Sequence, residues 1–209
     1  KEELYLLLLI STLGAVLMTS SHHLASFFVS LELLSVPMYG MLSFAYLKQK
    51  SLESGLKYLI LSATASATLL MGMALIFAAT GELGFTHLGE ALMAGFGILP
   101  LFVVGAVMMV AAVAFKLSLA PFHAWAGDVY QGSPAPVTAF LASVGKVAVV
   151  ALTVRFLLTS AVPAISAIDA ILVAIVGVSI MAGNLLALTQ TNLKRLLAFS
   201  SVAHMGYVL

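Results

Sequence analysis

Long apolar runs separated by short polar stretches organise this chain from end to end. A membrane-spanning helix needs about 20 mainly apolar residues. Seven stretches meet that need in full or in part: roughly 4–20, 24–46, 53–79, 98–119, 134–158, 165–189 and 193–209. Between the fourth and fifth, 121–131 predicts a short extra helix or half-helix. Ser133 caps the fifth, and Pro134 opens it, where a missing N–H is no loss. The Gly-rich, acidic stretch 81–97 (GELGFTHLGEALMAGFG) reads as an interfacial loop with a short amphipathic turn. The predicted fold is all-α, a polytopic transmembrane helix bundle with a broken helix.

Composition agrees with that reading. The 209 residues are 62% hydrophobic and 8% charged, against about 25% charged in soluble domains. A soluble protein this apolar could not cover its own surface with polar groups. There is no Cys, which removes disulfides and Cys-ligated metals and argues against an iron–sulfur cluster in this chain. The net charge of +1 decides nothing, and no basic run suggests nucleic acid. The start, KEELYLLLLISTLGAVLMTSS, places Glu2 and Glu3 beside Lys1 and lacks a clean A-x-A site, unlike a signal peptide. The absence of an initial Met and the apolar end MGYVL read as a piece of a longer polytopic protein.

Charge distribution orients the bundle. Alternating crossings put Lys1, Lys48, Lys50, Lys194 and Arg195 on one side. Glu82, Glu90 and Asp169 fall on the other, with His22, His23 and His87. Arg155, near a helix end, lies towards that side and can snorkel. The lysine-bearing loops are then cytoplasmic or in the equivalent compartment.

Three ions sit within the apolar runs: Lys116 in LPLFVVGAVMMVAAVAFKLSLAP, Lys146 in PAPVTAFLASVGKVAVVALTV and Glu32 in LASFFVSLELLSVPMYGML. A charge at the centre of a spanning helix is unfavourable by roughly 2.5–3.5 kcal/mol, whereas Leu, Ile, Phe and Val each return about 0.3–0.6 kcal/mol. Lys146 is roughly 18 Å into its helix at about 1.5 Å per residue from Pro134, near the middle of a hydrocarbon layer about 30 Å thick. Proton carrier and fixed ion pair are the two readings of each lysine; intramembrane ions point first to function. Glu32 needs a cation from another helix, and Lys116 is the expected partner.

Pro121 follows Lys116 by five residues and has no N–H, so the helix should break just past Lys116, freeing the carbonyl of Leu117. Such backbone is tolerated at membrane depth where it is buried in protein or lines a wet cavity. Transporters use interrupted helices in this way. A packing kink is the plain alternative, but a lysine beside the proline favours the functional one.

Other ionisable groups say less. Lys57, four residues after Glu53, reads from spacing as a solvated or interfacial pair. His123 and Asp128, five apart, do not share one helix face cleanly. His22 and His23 read as an interfacial pair, and Trp125 as an interfacial anchor. His204 is a candidate proton relay or a hydrogen-bonded structural histidine. There is no metal-ligand spacing, phosphate loop, nucleotide fingerprint or nucleophile elbow.

The stretches SLELLSVPMYGML, GLKYLILSA, AFKLSLAPFHAWAGDVYQGSPAPVTAFLASVGKVA and NLKRLLAFSSVAHMGY together resemble the antiporter-like membrane subunits of respiratory complex I. The wider family includes subunits of multisubunit cation/proton antiporters and membrane-bound hydrogenases. The resemblance covers nearly the whole chain and implies an antiporter-like fold of two inverted five-helix repeats. Residues 1–158 would be the first, with the helix break near 117–122, and 159–209 the truncated start of the second. It implies proton-transfer roles for Glu32, Lys57, Lys116 and Lys146, and raises Lys57 above what its spacing suggests. A further twelfth-helix lysine of the family would lie beyond Leu209.

The function implied is that of a proton-translocating subunit of NADH:quinone oxidoreductase, multi-pass in a bacterial inner membrane. Its partners would be other membrane subunits and the bilayer. No cofactor is expected in this chain; NADH, FMN, iron–sulfur clusters and quinone are implied in partner subunits. Two departures stand out: Gly127 and Gln131 replace the Pro and Glu of the family's W-x-P-D-V-Y-E-G, which puts any role of those two positions in doubt.

Overall fold

A computed structural model describes residues 2–95, 99–160 and 165–209. Lys1, which was expected on the basic side, lies outside them. So do 96–98, the last two residues of the interfacial loop and the first of the fourth run, and 161–164, beside the expected repeat boundary.

The described residues form an all-helical bundle. In chain order it contains α1 (Glu2–Ser20), α2 (Leu24–Leu42), α3 (Gln49–Thr80), α4 (Phe85–Met93), α5 (Pro100–Lys116) and α6 (Ala124–Gly132). A split helix follows, α7 (Ala135–Phe140) and α8 (Lys146–Ser160), joined by a π-helical segment at Leu141–Gly145. The last two are α9 (Ser166–Leu188) and α10 (Leu193–Val208). Among the described residues five helical stretches are long and apolar enough to cross a membrane: Glu2–Ser20, Leu24–Leu42, Gln49–Thr80, Ala135–Ser160 and Ile168–Leu188. Pro100–Lys116 is shorter because the helix breaks after Lys116.

The ends have local causes. His23 caps α2 by accepting from the Ala25 N–H, and the Asn192 side chain caps α10 through the N–H groups of Lys194 and Arg195. Gly81, at φ +74°, ends α3 in the left-handed conformation that glycine tolerates. Helix α2 stops at Leu42 rather than near 46, and Ser51 donates to the Leu42 carbonyl left over at that end. Helix α4 is a nine-residue helix where the sequence suggested only a turn.

Lipid offers no hydrophobic drive for helix pairing, so close approach and interhelical hydrogen bonds take its place. At the α3–α5 crossing Gly72 faces Gly105: a Cβ on Gly72 would sit 2.6 Å from the Gly105 carbonyl oxygen. Helix α1 meets α2 through Gly14, whose backbone lies against that of Leu34, and through Ser11, which donates to the Leu34 carbonyl at 2.8 Å. Leu6, Leu9, Leu13 and Val16 on α1, and Val173, Val178, Met181 and Leu185 on α9, stay exposed. They form the apolar surface expected to face lipid.

The two ends separate as the charges suggested. At one, Lys50 packs on Gly132 and Lys194 donates to the Ser133 carbonyl. At the other, the Phe85 N–H donates to the His22 carbonyl, and the Arg155 guanidinium bonds His22 at 2.8 Å. Arg155 thus has a protein partner at this end. Even Gly72→Ala should destabilise the bundle by about 1–3 kcal/mol, because its new methyl meets fixed backbone. A lower melting temperature of the detergent-solubilised protein checks this, and an unchanged one contradicts the crossing geometry.

Candidate proton-transfer site

The apolar helix α5 ends at Lys116, and residues 117–123 separate it from α6. Ser118 lies at φ +60° within this break, and the Ala120–Pro121 peptide is cis. Backbone groups at the break have partners inside the protein: the Phe115 carbonyl accepts from the Ser118 N–H and from Trp125 Nε1, at 3.0 Å and 3.2 Å, and Ser179 Oγ accepts from the Ala120 N–H at 2.9 Å. Trp125 is therefore not an interfacial anchor. It is 4% exposed and packs on Phe115 and Tyr58, and its indole N–H gives the Phe115 carbonyl a second donor beside the Ser118 N–H.

Lys116, 9% exposed, reaches across to α2 and α3. Its ammonium donates to Ser35 Oγ at 2.8 Å and Ser62 Oγ at 2.7 Å. Tyr39 also donates to Ser62, at 3.2 Å. The expected direct pair with Glu32 does not form. Glu32 lies one helical turn before Ser35, and its buried Oε1 has no hydrogen-bond partner. The two serines reach the ammonium first, leaving the carboxylate next to the site but outside it.

Lys146, 2% exposed, follows the π segment directly. Widened π turns are frequent at functional sites because they re-aim the side chains that follow. The Lys146 ammonium donates to Ser201 Oγ on α10 at 2.8 Å and lies 5.9 Å from the centre of the Tyr130 ring on α6. Both buried lysines are thus held by neutral hydroxyls.

Lys57 is 43% exposed and pairs with Glu53 at 2.7 Å, as its spacing indicated. It also pairs with Asp128 at 2.9 Å. Asp128 in turn takes Arg195 at 2.6 Å, so one carboxylate ties α3, α6 and α10 together. Asp128 lies on short α6, outside the long spans and in an open polar pocket shared with Lys50 and Gln131. The Lys57 ammonium first, and Arg195 beside it, hold its carboxyl below the usual carboxylate range. Gln131 accepts a hydrogen bond from Arg195 at 3.2 Å. Gly127 lies against Phe199, whose ring would be 3.0 Å from an added Cβ.

The structure brings Lys116 to Ser35 and Ser62, and Lys146 to Ser201 and Tyr130. It does not bring His204 to either. That histidine is exposed on α10, with its ring 6.1 Å from Tyr207. His123 immediately precedes α6, with Nδ1 buried and unpartnered among the described residues. Sequence reasoning missed Ser62, Ser201, Tyr130 and the Arg195–Asp128 link. The available signal was a small hydroxyl residue inside an apolar helix, but only the packing says which hydroxyl meets a lysine.

A sequence profile described as NADH:quinone oxidoreductase/Mrp antiporter, transmembrane, matches residues 21–209. The chain belongs to this family. It is 59% identical to NADH-quinone oxidoreductase subunit N of Psychrobacter arcticus, over 100% of this chain and 42% of that protein. It is 54% identical to subunit N of Acinetobacter baumannii, with the same coverage. The chain thus spans about two-fifths of the length of the curated relatives it matches.

A chain of respiratory complex I from Thermus thermophilus with bound aureothin superposes with TM-score 0.85 and 40% identity, covering 99% of this chain and 44% of that one. A chain of the membrane-bound sulfane sulfur reductase, an archaeal respiratory membrane complex, gives 0.83 and 31% over 97% and 41%. One from the Mrp complex of Dietzia sp. gives 0.85 and 23% over 96% and 37%, which shows a shared fold.

Asp128→Asn should remove the charge that both cations face. With its folded pKa depressed, Asp128 contributes stability present above the unfolded carboxyl range and lost as pH falls through the folded value. The protein should therefore lose stability on acidification, and Asp128→Asn should flatten that loss. Melting curves across acid pH measure it; identical slopes would leave Asp128 without this role.

Proposed function

We propose that this chain is part of a subunit N of a bacterial NADH-quinone oxidoreductase and carries protons through Lys116 and Lys146 across the inner membrane. One observation carries the reading: both lysines are buried in a membrane bundle and held by serine hydroxyls, not by carboxylates. An ammonium locked to a carboxylate resists losing its proton, whereas one held by neutral acceptors in a poorly solvated site gives it up more readily. Identity of 51–59% over all of this chain, and 42% of each relative, to proteins named subunit N supports the choice of complex. The other reading is a subunit of a multisubunit antiporter or membrane-bound hydrogenase; the Mrp chain shares the fold at lower identity, 23%.

In this reading residues 1–158 form the first inverted repeat, 159–209 begin the second, and Glu32 tunes Lys116. Bringing the carboxylate in from its place one turn before Ser35 strengthens the proton's hold on Lys116; withdrawing it favours transfer towards Lys146. Crossing 100 mV takes about 2.3 kcal/mol per charge. At about 1.36 kcal/mol per pKa unit, a swing of about 1.7 units matches it, and a neighbouring charge supplies about 1–3 units. Lys57, tied to Glu53 and Asp128, belongs to the rim of this path, and His204 has no contact that supports a relay role. The driving energy comes from quinone reduction in partner subunits, where NADH, FMN and iron–sulfur clusters also belong.

Lys146→Met in the assembled complex should leave assembly intact and abolish or severely reduce NADH-driven proton pumping in inverted membrane vesicles. Normal pumping by that assembled variant would overturn the proposal. An antiporter would instead exchange cations for protons under an ion gradient without NADH or quinone. Glu32→Gln should lower turnover severalfold with assembly preserved, and full turnover would remove Glu32 from the tuning role.

A further inference from the structure

Among the described residues, the Tyr130 hydroxyl is one of the buried polar groups that the path above does not use, and it lies beside Lys146. Tyr130 is 2% exposed, and among the described residues its oxygen has no hydrogen-bond partner within bonding geometry. A buried hydroxyl left unpaired is unfavourable, and phenylalanine would fill the same space without that penalty. The ring stands 6.4 Å from Trp125 and 5.9 Å from the Lys146 ammonium. Its hydroxyl lies close enough to Ser201, the residue that holds Lys146, to interact with it. Ser201 accepts from Lys146 at 2.8 Å and donates to the Ala198 carbonyl at 2.9 Å. A serine oxygen has two lone pairs, so one remains for a phenol donor. Tyr130 is also firmly placed: two residues earlier, Asp128 anchors α6 to both α3 and α10.

We propose that Tyr130, acting through Ser201, is a proton-relay residue that loads Lys146. The proposal rests on the proton-carrier reading of Lys146. When the Lys146 amine is neutral, the Ser201 O–H turns from the Ala198 carbonyl and gives its proton to Nζ. Ser201 takes the Tyr130 proton in the same movement, and the phenol oxygen is reprotonated by an incoming hydronium ion. Each O–H bond that breaks is replaced, neither hydroxyl ends charged, and one proton arrives on Lys146. Tyr130 is a positioning and relay group here, since Ser201 touches the amine and Tyr130 does not.

The test uses the assembled complex in inverted membrane vesicles and compares Tyr130→Phe, Ser201→Ala, Ser201→Thr and Lys146→Met with the wild type. Tyr130→Phe keeps the ring and removes only the hydroxyl. It should slow NADH-driven pumping about tenfold, the effect expected for one hydrogen bond between neutral groups, and enlarge the solvent deuterium isotope effect as proton transfer becomes limiting. Ser201→Ala should do the same, and Ser201→Thr should restore both readings. Wild-type rate and isotope effect in Tyr130→Phe, with Lys146→Met inactive, overturn the relay and leave the lysine path standing. Normal pumping by Lys146→Met overturns the path itself. If Tyr130→Phe does not assemble, the serine pair decides: rescue by threonine supports the relay, and Ser201→Ala equal to wild type, or threonine no better than alanine, overturns it.

Discussion

Two ammonium groups must be accommodated where water is scarce, and the arrangement around them follows from how that is done. A carboxylate at contact distance would satisfy each charge most strongly and would also fix it. The structure instead supplies hydroxyls: Ser35 and Ser62 for Lys116, and Ser201 for Lys146. A hydroxyl accepts from an ammonium and can donate to an amine, so it serves both protonation states. Glu32 stands one turn from the Lys116 site with a buried oxygen unpaired, close enough to influence it and free of it.

The carboxylates that are firmly paired lie elsewhere. Asp128 is shared between Lys57 and Arg195 at the charged end of the bundle, where α3, α6 and α10 meet. These groups are partly exposed, so their pairing is an anchor softened by solvent. The anchor has a mechanical consequence. Helix α6 follows the break after Lys116 and carries Trp125, which donates to the Phe115 carbonyl, and Tyr130, which lies beside Lys146. Fixing α6 through Asp128 therefore fixes the aromatic packing between the two lysines.

Gly127 and Gln131, which depart from the family pattern, gain a setting from the same region. Gln131 receives Arg195 alongside Asp128, and Gly127 admits the Phe199 ring from α10. Both sit at the α6–α10 contact, away from the buried ammonium groups.

The apolar periodicity by itself determined the spans, because in a bilayer backbone polar groups must be satisfied within the segment and helices do this locally. The same locality placed the break after Lys116, since proline removes its own hydrogen bond wherever it lies, and the Glu53–Lys57 pair, whose spacing is one helical turn. Which side the charged loops share was also legible, because crossings alternate. Partners on different helices were not. Lys116 chose Ser35 and Ser62 over Glu32, Asp128 found Lys57 and Arg195, and Trp125 turned inward to the Phe115 carbonyl. The π segment before Lys146 was equally hidden, for LASVG differs little from ordinary helix. Each of these depends on the rotation and separation of packed helices, set by close contacts such as Gly72 on Gly105, and only the assembled bundle decides them.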